Sequence, residues 1–335
     1  MDTKSTRRRL LQCSTLGALS LIARPTPALS SPQADGIVWH DVRDWGVEGK
    51  GWGAAESEKF YDRLPGRANG EVREAVWNLS RHSAGMLTRF RTDADAIWVD
   101  YKVTSSRLAM PHMPATGVSG VDLYASDAAG DWRWVAVTRP TTQTMKTRII
   151  GSLLPGARDY TAYLPLYNGT EYLKIGVAAD AVFEPIAPRT IKPIVFYGTS
   201  ITHGACASRP GMPHPAILGR RLKRPIINLG FSGNGKMEKE VGKYLCELDP
   251  AVYVIDCLPN MVGNEVAART EPLVRQLRKA RPETPILLVE DRTYANAGFV
   301  QGSRERHAAS RQALKNAHAR LVAAGFEKLG YLRGE

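Results

Sequence analysis

The sequence is short of cysteine and of long apolar runs, and each shortage excludes a class of protein. Only Cys13, Cys206, Cys246 and Cys257 occur in 335 residues, with no CxxC pair, so neither a disulfide framework nor a thiolate metal site is expected. Cys206, Cys246 and Cys257 read instead as small buried or half-buried residues. The longest apolar stretch, LLQCSTLGALSLIA (10–23), is interrupted by Gln, Ser and Thr and is too short to span a bilayer. Motifs for nucleic-acid binding are lacking too, and of the net charge of +12 the +8 that lies outside residues 1–30 is spread rather than clustered, so nucleic acid is not an expected partner. His112 and His214 have no companions at metal-ligand spacing. No metal or cofactor is expected.

What is present begins with an address. Arg7, Arg8 and Arg9 precede the apolar stretch, and PTPALSS follows it; this is the order of a cleavable export signal over residues 1–30. The paired arginines before Leu-Leu resemble a twin-arginine signal. Gln12 makes LLQC a poor lipidation site, so no stable membrane anchor is expected, and the protein is placed in the periplasm or outside the cell. Residues 1–30 carry five basic and one acidic residue, leaving +8 for the remainder.

The rest divides by hydrophobic period. Residues 37–183 alternate as β-strands do, most clearly in IWVDYKV (97–103), with Ile97, Val99, Tyr101 and Val103 on one face, and again in WRWVAV (132–137), YTAYLPLY (160–167) and EYLKIGV (171–177). Turn residues in DAAGD, LPGARD and NGT separate them, which predicts a β-sandwich, jelly-roll-like domain. EPIAPRTIKP (184–193) reads as a linker or an extended crossing strand. From 191 to 335 the apolar strands PIVFY, PIINL, AVYVID and PILLVE alternate with helical stretches near 213–223, 236–247, 265–281 and 303–324. That alternation predicts an α/β domain with a parallel sheet covered on both faces.

On such sheets ligands bind beyond the carboxyl ends of the strands, which directs attention to three loops. GTSITHG (198–204) offers Ser200 on a tight turn, NLGFSGNGK (228–236) offers three glycines, and DCLPNM (256–261) offers Asn260. The glycine loop follows the second strand and does not fit a dinucleotide-binding fingerprint. Ser, Gly and Asn after successive strands resemble the blocks of the SGNH (GDSL-like) hydrolases, and GVDLY (120–124) resembles the signature of a β-sandwich that precedes certain SGNH esterases. The resemblance implies a flavodoxin-like hydrolase domain and ester hydrolysis through an acyl-enzyme. Ser200 would be the nucleophile, and Ser200 N–H, Gly233 N–H and the Asn260 side chain would form the oxyanion hole. Leu258 and Met261 stand where the family has Gly and Asp. Relatives with an appended β-sandwich commonly deacetylate carbohydrates, so a glycan ester or other small ester is the expected substrate.

The family takes its base from an Asp-x-x-His block near the C-terminus, and none follows Asn260 in this sequence. A hydrolase domain truncated at its C-terminus, with low activity, is therefore expected. His203, three residues after Ser200, reads as a structural or cleft-lining group, and His307, early in the last helix, as a residue approaching the cleft. His112, from the first domain, is a candidate for substrate contact, as is Glu290 at the end of the fourth apolar strand. Ser303 is a candidate N-cap and Gly325 a candidate stop for the last helix, along which His318 sits about 16 Å beyond His307. An alternative of another class is a glycan-binding protein with a disabled cleft, in which Trp132, Trp134, Tyr160 and Tyr163 stack on sugars; aromatics at strand spacing also serve as core.

Overall fold

A computed structural model describes residues 36–334; the export signal read over residues 1–30 lies outside them. Nine strands build two antiparallel sheets. β1 (Ile37–Asp41), β8 (Thr170–Ala178), β3 (Ile97–Val103) and β6 (Thr144–Ile150) form one, in the order β1-β8-β3-β6. β5 (Trp132–Val137), β4 (Asp122–Ser126), β7 (Arg158–Tyr163), β2 (Leu87–Thr92) and β9 (Phe183–Ile186) form the other, in the order β5-β4-β7-β2-β9. The alternation of β3 is realised: Ile97, Val99, Tyr101 and Val103 are buried and the residues between them are half-buried. They meet Phe90, Leu123, Tyr160 and Ala162 of the facing sheet in one apolar core, as a sandwich requires. The segment read as a linker begins as β9, which pairs antiparallel with β2.

Five parallel strands follow. β10 (Ile194–Gly198), β11 (Ile226–Gly230), β12 (Val252–Asp256), β13 (Ile286–Val289) and β14 (Leu329–Leu332) lie in the order β11-β10-β12-β13-β14. This is the flavodoxin-like 2-1-3-4-5 order, whose switch point is beside the first strand, here β10. Every residue of β10 and β11 is buried, because helices or the sandwich side of the molecule cover both faces. Before this sheet come the short helices α1 (Glu74–Ser80) and α2 (Ala115–Val118). Within it come α3 (Ser200–His203), α4 (His214–Arg221), α5 (Lys239–Glu247), α6 (Gly263–Ala280) and α7 (Gln301–Ala323). Helix α7 starts two residues before Ser303, with Val300 as its N-cap, and ends as expected ahead of Gly325, whose φ of +83° only glycine adopts freely.

Two features join the halves. Trp52, Leu64, Val72, Val76 and Trp77, from the segment between β1 and β2, are buried in the same core as Tyr197, Leu229 and Tyr244 of the parallel-sheet half. The GVDLY residues supply a second tie: Asp122 accepts from Gly211 N–H (2.8 Å) and from Trp134 Nε1 (3.0 Å), while a side chain at Gly211 would collide with the Tyr124 ring. Asp122 thus pins the loop that follows α3, and burial pushes its carboxyl up to about 6 against the lowering effect of that N–H and Arg209.

Arg63 is the largest fully buried side chain among the described residues, with 1% of its surface exposed. Its Nε donates to His82 O (2.9 Å), Nη2 to Leu79 O (2.6 Å), and Nη1 to Asn228 O (3.0 Å) and Gly230 O (2.8 Å). One guanidinium therefore caps the end of α1 and the carboxyl end of β11 together. Arg63→Met should lower unfolding stability by about 3–5 kcal/mol, because four main-chain carbonyls, two of them buried, each lose a charged donor. Urea unfolding followed by fluorescence checks this, and a loss below about 1 kcal/mol would show that Arg63 merely fills space.

Candidate functional site

β10, β11 and β12 deliver the three sequence-selected residues to one edge of the sheet. Ser200 is the first residue of α3, directly after Thr199, whose Oγ1 accepts from Ile201 N–H (3.3 Å). That cap turns the chain as it leaves β10 and leaves Ser200 half-buried at the opening helix turn. Neither Oγ nor N–H of Ser200 bonds to another described residue, and the same holds for Gly233 N–H. Unpaired donors of this kind at a strand end suit an incoming anionic oxygen.

The glycines have distinct tasks. Gly233 has φ +69° with open space where a Cβ would be, so the loop turns left-handed there at little cost. A Cβ on Gly235 would lie 1.9 Å from Gly198 O, so glycine is needed for the loop to fold down onto the end of β10. Asn260, in the short turn after β12, is tied to this loop whichever way its amide is placed. In one orientation Nδ2 donates to Phe231 O (3.4 Å) and Gly235 O (3.3 Å). Turned over, Oδ1 accepts from Asn234 N–H (3.1 Å) and Gly235 N–H (3.2 Å). The second, with shorter contacts, is preferred on hydrogen-bond geometry. Helix α7 steadies the turn from outside, through Arg306 Nη2 on Pro259 O and Ser310 Oγ on Met261 O (3.1 Å).

The histidines do not converge on Ser200. His203 is wholly buried and stacks on Tyr167 with ring centroids 4.1 Å apart; of its two readings this is the structural one, and contact with substrate as a cleft-lining residue is corrected. Its Nε2 is 2.7 Å from Leu166 O and so carries the proton, while Nδ1 is buried without a partner. Burial, then the positive charge of Arg63, hold this imidazole neutral, far below its ordinary pKa. His82, 5.4 Å away ring to ring, is held to about 3 by the same two causes. His307 is 5% exposed; its Nε2 accepts from Tyr294 N–H (3.4 Å) and its Nδ1 faces Asp291 Oδ2 (3.6 Å). Nε2 thus holds the loop after β13, while Nδ1 is buried with no hydrogen-bond partner among the described residues. Glu290 is engaged as well: Tyr331 Oη and Gly334 N–H (2.8 Å) donate to its two oxygens. His112 is exposed on a loop whose neighbour Met113 clusters with Tyr167 and Ala207 beside α3. Cys246 and Cys257 are shielded as expected, but Cys206 is exposed, at φ +61°, just after α3.

Asp256, at the carboxyl end of β12, was not singled out by the sequence. It is buried, accepts from Thr202 Oγ1 (2.9 Å), and is pushed up to about 6 by desolvation. His214 Nε2 stands 3.9 Å from it, and burial lowers the imidazole to about 4, which works against an ion pair between the two. Among the described residues no cluster of His, Cys, Asp or Glu is arranged to hold a metal, and no helix is long and apolar enough to cross a membrane.

The comparisons agree with this architecture. The family model for GDSL-like lipases and acylhydrolases matches residues 191–335, and that for the N-terminus of SGNH-hydrolase-type esterases matches residues 37–183. A Bacteroides ovatus protein provisionally assigned as a GDSL-like lipase is 30% identical, with a TM-score of 0.84 over 89% of this chain and 87% of its own. The salicylyl-acyltransferase SsfX3 from a tetracycline biosynthetic pathway is 17% identical, with a TM-score of 0.66 over 91% and 84%. A family two carbohydrate esterase from Clostridium thermocellum, solved with cellohexaose, is 13% identical, with a TM-score of 0.52 over 75% and 82%. No curated protein matches the chain. The chain therefore belongs to the GDSL-like, or SGNH, hydrolases, a family of carboxylic ester hydrolases.

The buried acid gives a stability test. Because the folded carboxyl of Asp256 titrates above its unfolded value, its favourable contribution is complete below about pH 4 and is lost as pH rises through about 6. Asp256→Asn, which can still accept from Thr202, should match wild type at pH 4 and exceed it by about 1–3 kcal/mol at pH 8. Some slope remains from Asp122. Equal stabilities at pH 8 would mean that the fold does not raise the Asp256 carboxyl above its ordinary range.

Proposed function

We propose that the chain is an exported serine esterase that removes acyl groups, acetyl in particular, from a carbohydrate. Ser200 is the nucleophile, and Ser200 N–H, Gly233 N–H and the Asn260 amide receive the oxyanion of the tetrahedral intermediate. The observation that carries this reading is that the unpaired Ser200 hydroxyl stands at the end of β10 beside a glycine loop to which Asn260 is tied by hydrogen bonds. The carbohydrate part is supported by the likeness in fold to carbohydrate esterases, one of them holding cellohexaose. Export is supported by the arginine-led apolar segment at the N-terminus.

The 335-residue chain turns over slowly in this proposal. A serine hydroxyl needs a base to take its proton, whereas His203 and His307 are buried, with one ring nitrogen of each bonded away from Ser200, at Leu166 O and at Tyr294 N–H. That same observation favours a second reading, a glycan-binding protein with an inactive cleft.

Acetate release from acetylated xylan and from p-nitrophenyl acetate separates the two. The esterase reading expects slow release that Ser200→Ala abolishes and Asn260→Ala lowers by about 10²–10³-fold. Release unaffected by Ser200→Ala would overturn the assignment of the nucleophile, and absent release with retained glycan binding would favour the second reading. For export, Arg7→Lys with Arg8→Lys should leave the protein in the cytoplasm of a host with twin-arginine transport; unchanged export would overturn the twin-arginine assignment.

A further inference from the structure

A cavity of about 320 Å³ lies where the sandwich meets α4, lined by residues of β2, β5, β7 and α4 and by Ile226, the first residue of β11. The nucleophile edge is at the other end of that strand: four residues at about 3.3 Å each place the two ends about 13 Å apart. The cavity is therefore separate from the Ser200 site.

Its charge is one-sided. Arg89, Arg189, Arg220, Lys223 and Arg224 line it, against a single carboxylate, Asp159. The carboxylates nearby are already paired. Glu48, buried outside the lining, holds Arg189 (2.6 Å) and faces Arg89 (3.8 Å), and Asp159 holds Arg91 (3.0 Å). Arg220, Lys223 and Arg224 have no carboxylate within 4 Å among the described residues. Arg224 spends one N–H on Lys192 O (2.8 Å). Arg220 is fixed over the rings of Tyr124 and Tyr163, 4.2 and 5.4 Å from their centroids, with Nη1 buried and without a well-formed hydrogen bond among the described residues. Three cations without a carboxylate partner, one of them with a buried unpaired N–H, leave this wall of the cavity suited to an anion.

The other lining feature is Trp132, half-buried at the rim, with Arg89 5.8 Å from its ring. An indole beside arginines suits a ligand with an apolar ring face and an anionic substituent, and the volume is at the small end of ligand pockets, enough for one sugar unit. We propose that this cavity is a non-catalytic subsite for a carboxylate-bearing sugar, a uronic acid residue of a glycan. Its carboxylate sits on Arg220, Lys223 and Arg224, and its ring lies against Trp132. The sugar half rests on the carbohydrate reading above; the anion half does not.

Calorimetric titration of the intact chain carrying Ser200→Ala tests it with no reliance on hydrolysis. The probes are methyl glucuronoside, methyl glucoside and sodium sulfate. The proposal expects glucuronoside to bind, glucoside not to, and Lys223→Glu to weaken glucuronoside at least 10-fold while Lys279→Glu, on a distant helix end, leaves it unchanged. Trp132→Ala should weaken glucuronoside without altering sulfate. Sulfate binding alone would overturn the sugar half and leave a simple anion site; no binding of either anion, or binding indifferent to Lys223→Glu, would overturn the whole. Failure of the esterase reading leaves these outcomes unaffected, since none of them measures turnover.

Discussion

Everything at the nucleophile edge hangs from a cation sealed inside the protein. Withdrawing the Arg63 guanidinium from water costs several kcal/mol with no carboxylate to offset it. Four hydrogen bonds to main-chain carbonyls, each strengthened by the charge, make the placement tolerable, and burial lowers its pKa only to about 9, so it stays charged near neutral pH. The acceptors come from both halves of the chain: Leu79 and His82 before the sandwich strand β2, Asn228 and Gly230 on β11. From there the chain of contacts continues. Asn228 Nδ2 donates to Thr202 O (2.7 Å), inside the helix that begins with Ser200, and Phe231, which opens the glycine loop, has the guanidinium 5.1 Å from its ring centre.

The same charge determines what the neighbouring imidazoles can do. A buried histidine beside a fixed positive charge resists protonation, and His203 and His82 are neutral for that reason. His203 then works as a flat surface under Tyr167, whose hydroxyl donates to Ser200 O (3.3 Å). The residue nearest to Ser200 that resembles a base is thus part of the mount that holds Ser200.

Much of this could be read from the residues, and what could not has a common cause. The parallel strands announce themselves as apolar runs because both faces are covered, and the rule that sites lie beyond strand ends picks out the loops of Ser200, of the three glycines and of Asn260, while the choice of Gly233 rests on the resemblance to SGNH hydrolases. GVDLY was visible as a signature, whereas the work of Asp122, holding Gly211 eighty-nine residues away, was not. Arg63, Asp256 and the cationic cavity were equally hidden, since each acquires its character from groups that only the fold brings together. Local chemistry also misled. Cys206, of a type that is commonly shielded, sits exposed in a left-handed turn, and of the two readings open for His203 the cleft-lining one fails because Leu166 and Tyr167 of the sandwich half shut it away.

The central claim is that Ser200, Gly233 and Asn260 form one prepared receptor for a tetrahedral oxyanion. The most direct measurement is a crystal structure after reaction with a small phosphonate ester. The account predicts a covalent bond to Ser200 Oγ and a phosphoryl oxygen within about 3.1 Å of Ser200 N, Gly233 N and Asn260 Nδ2. An adduct on another residue, or a phosphoryl oxygen turned away from those three nitrogens, would contradict it.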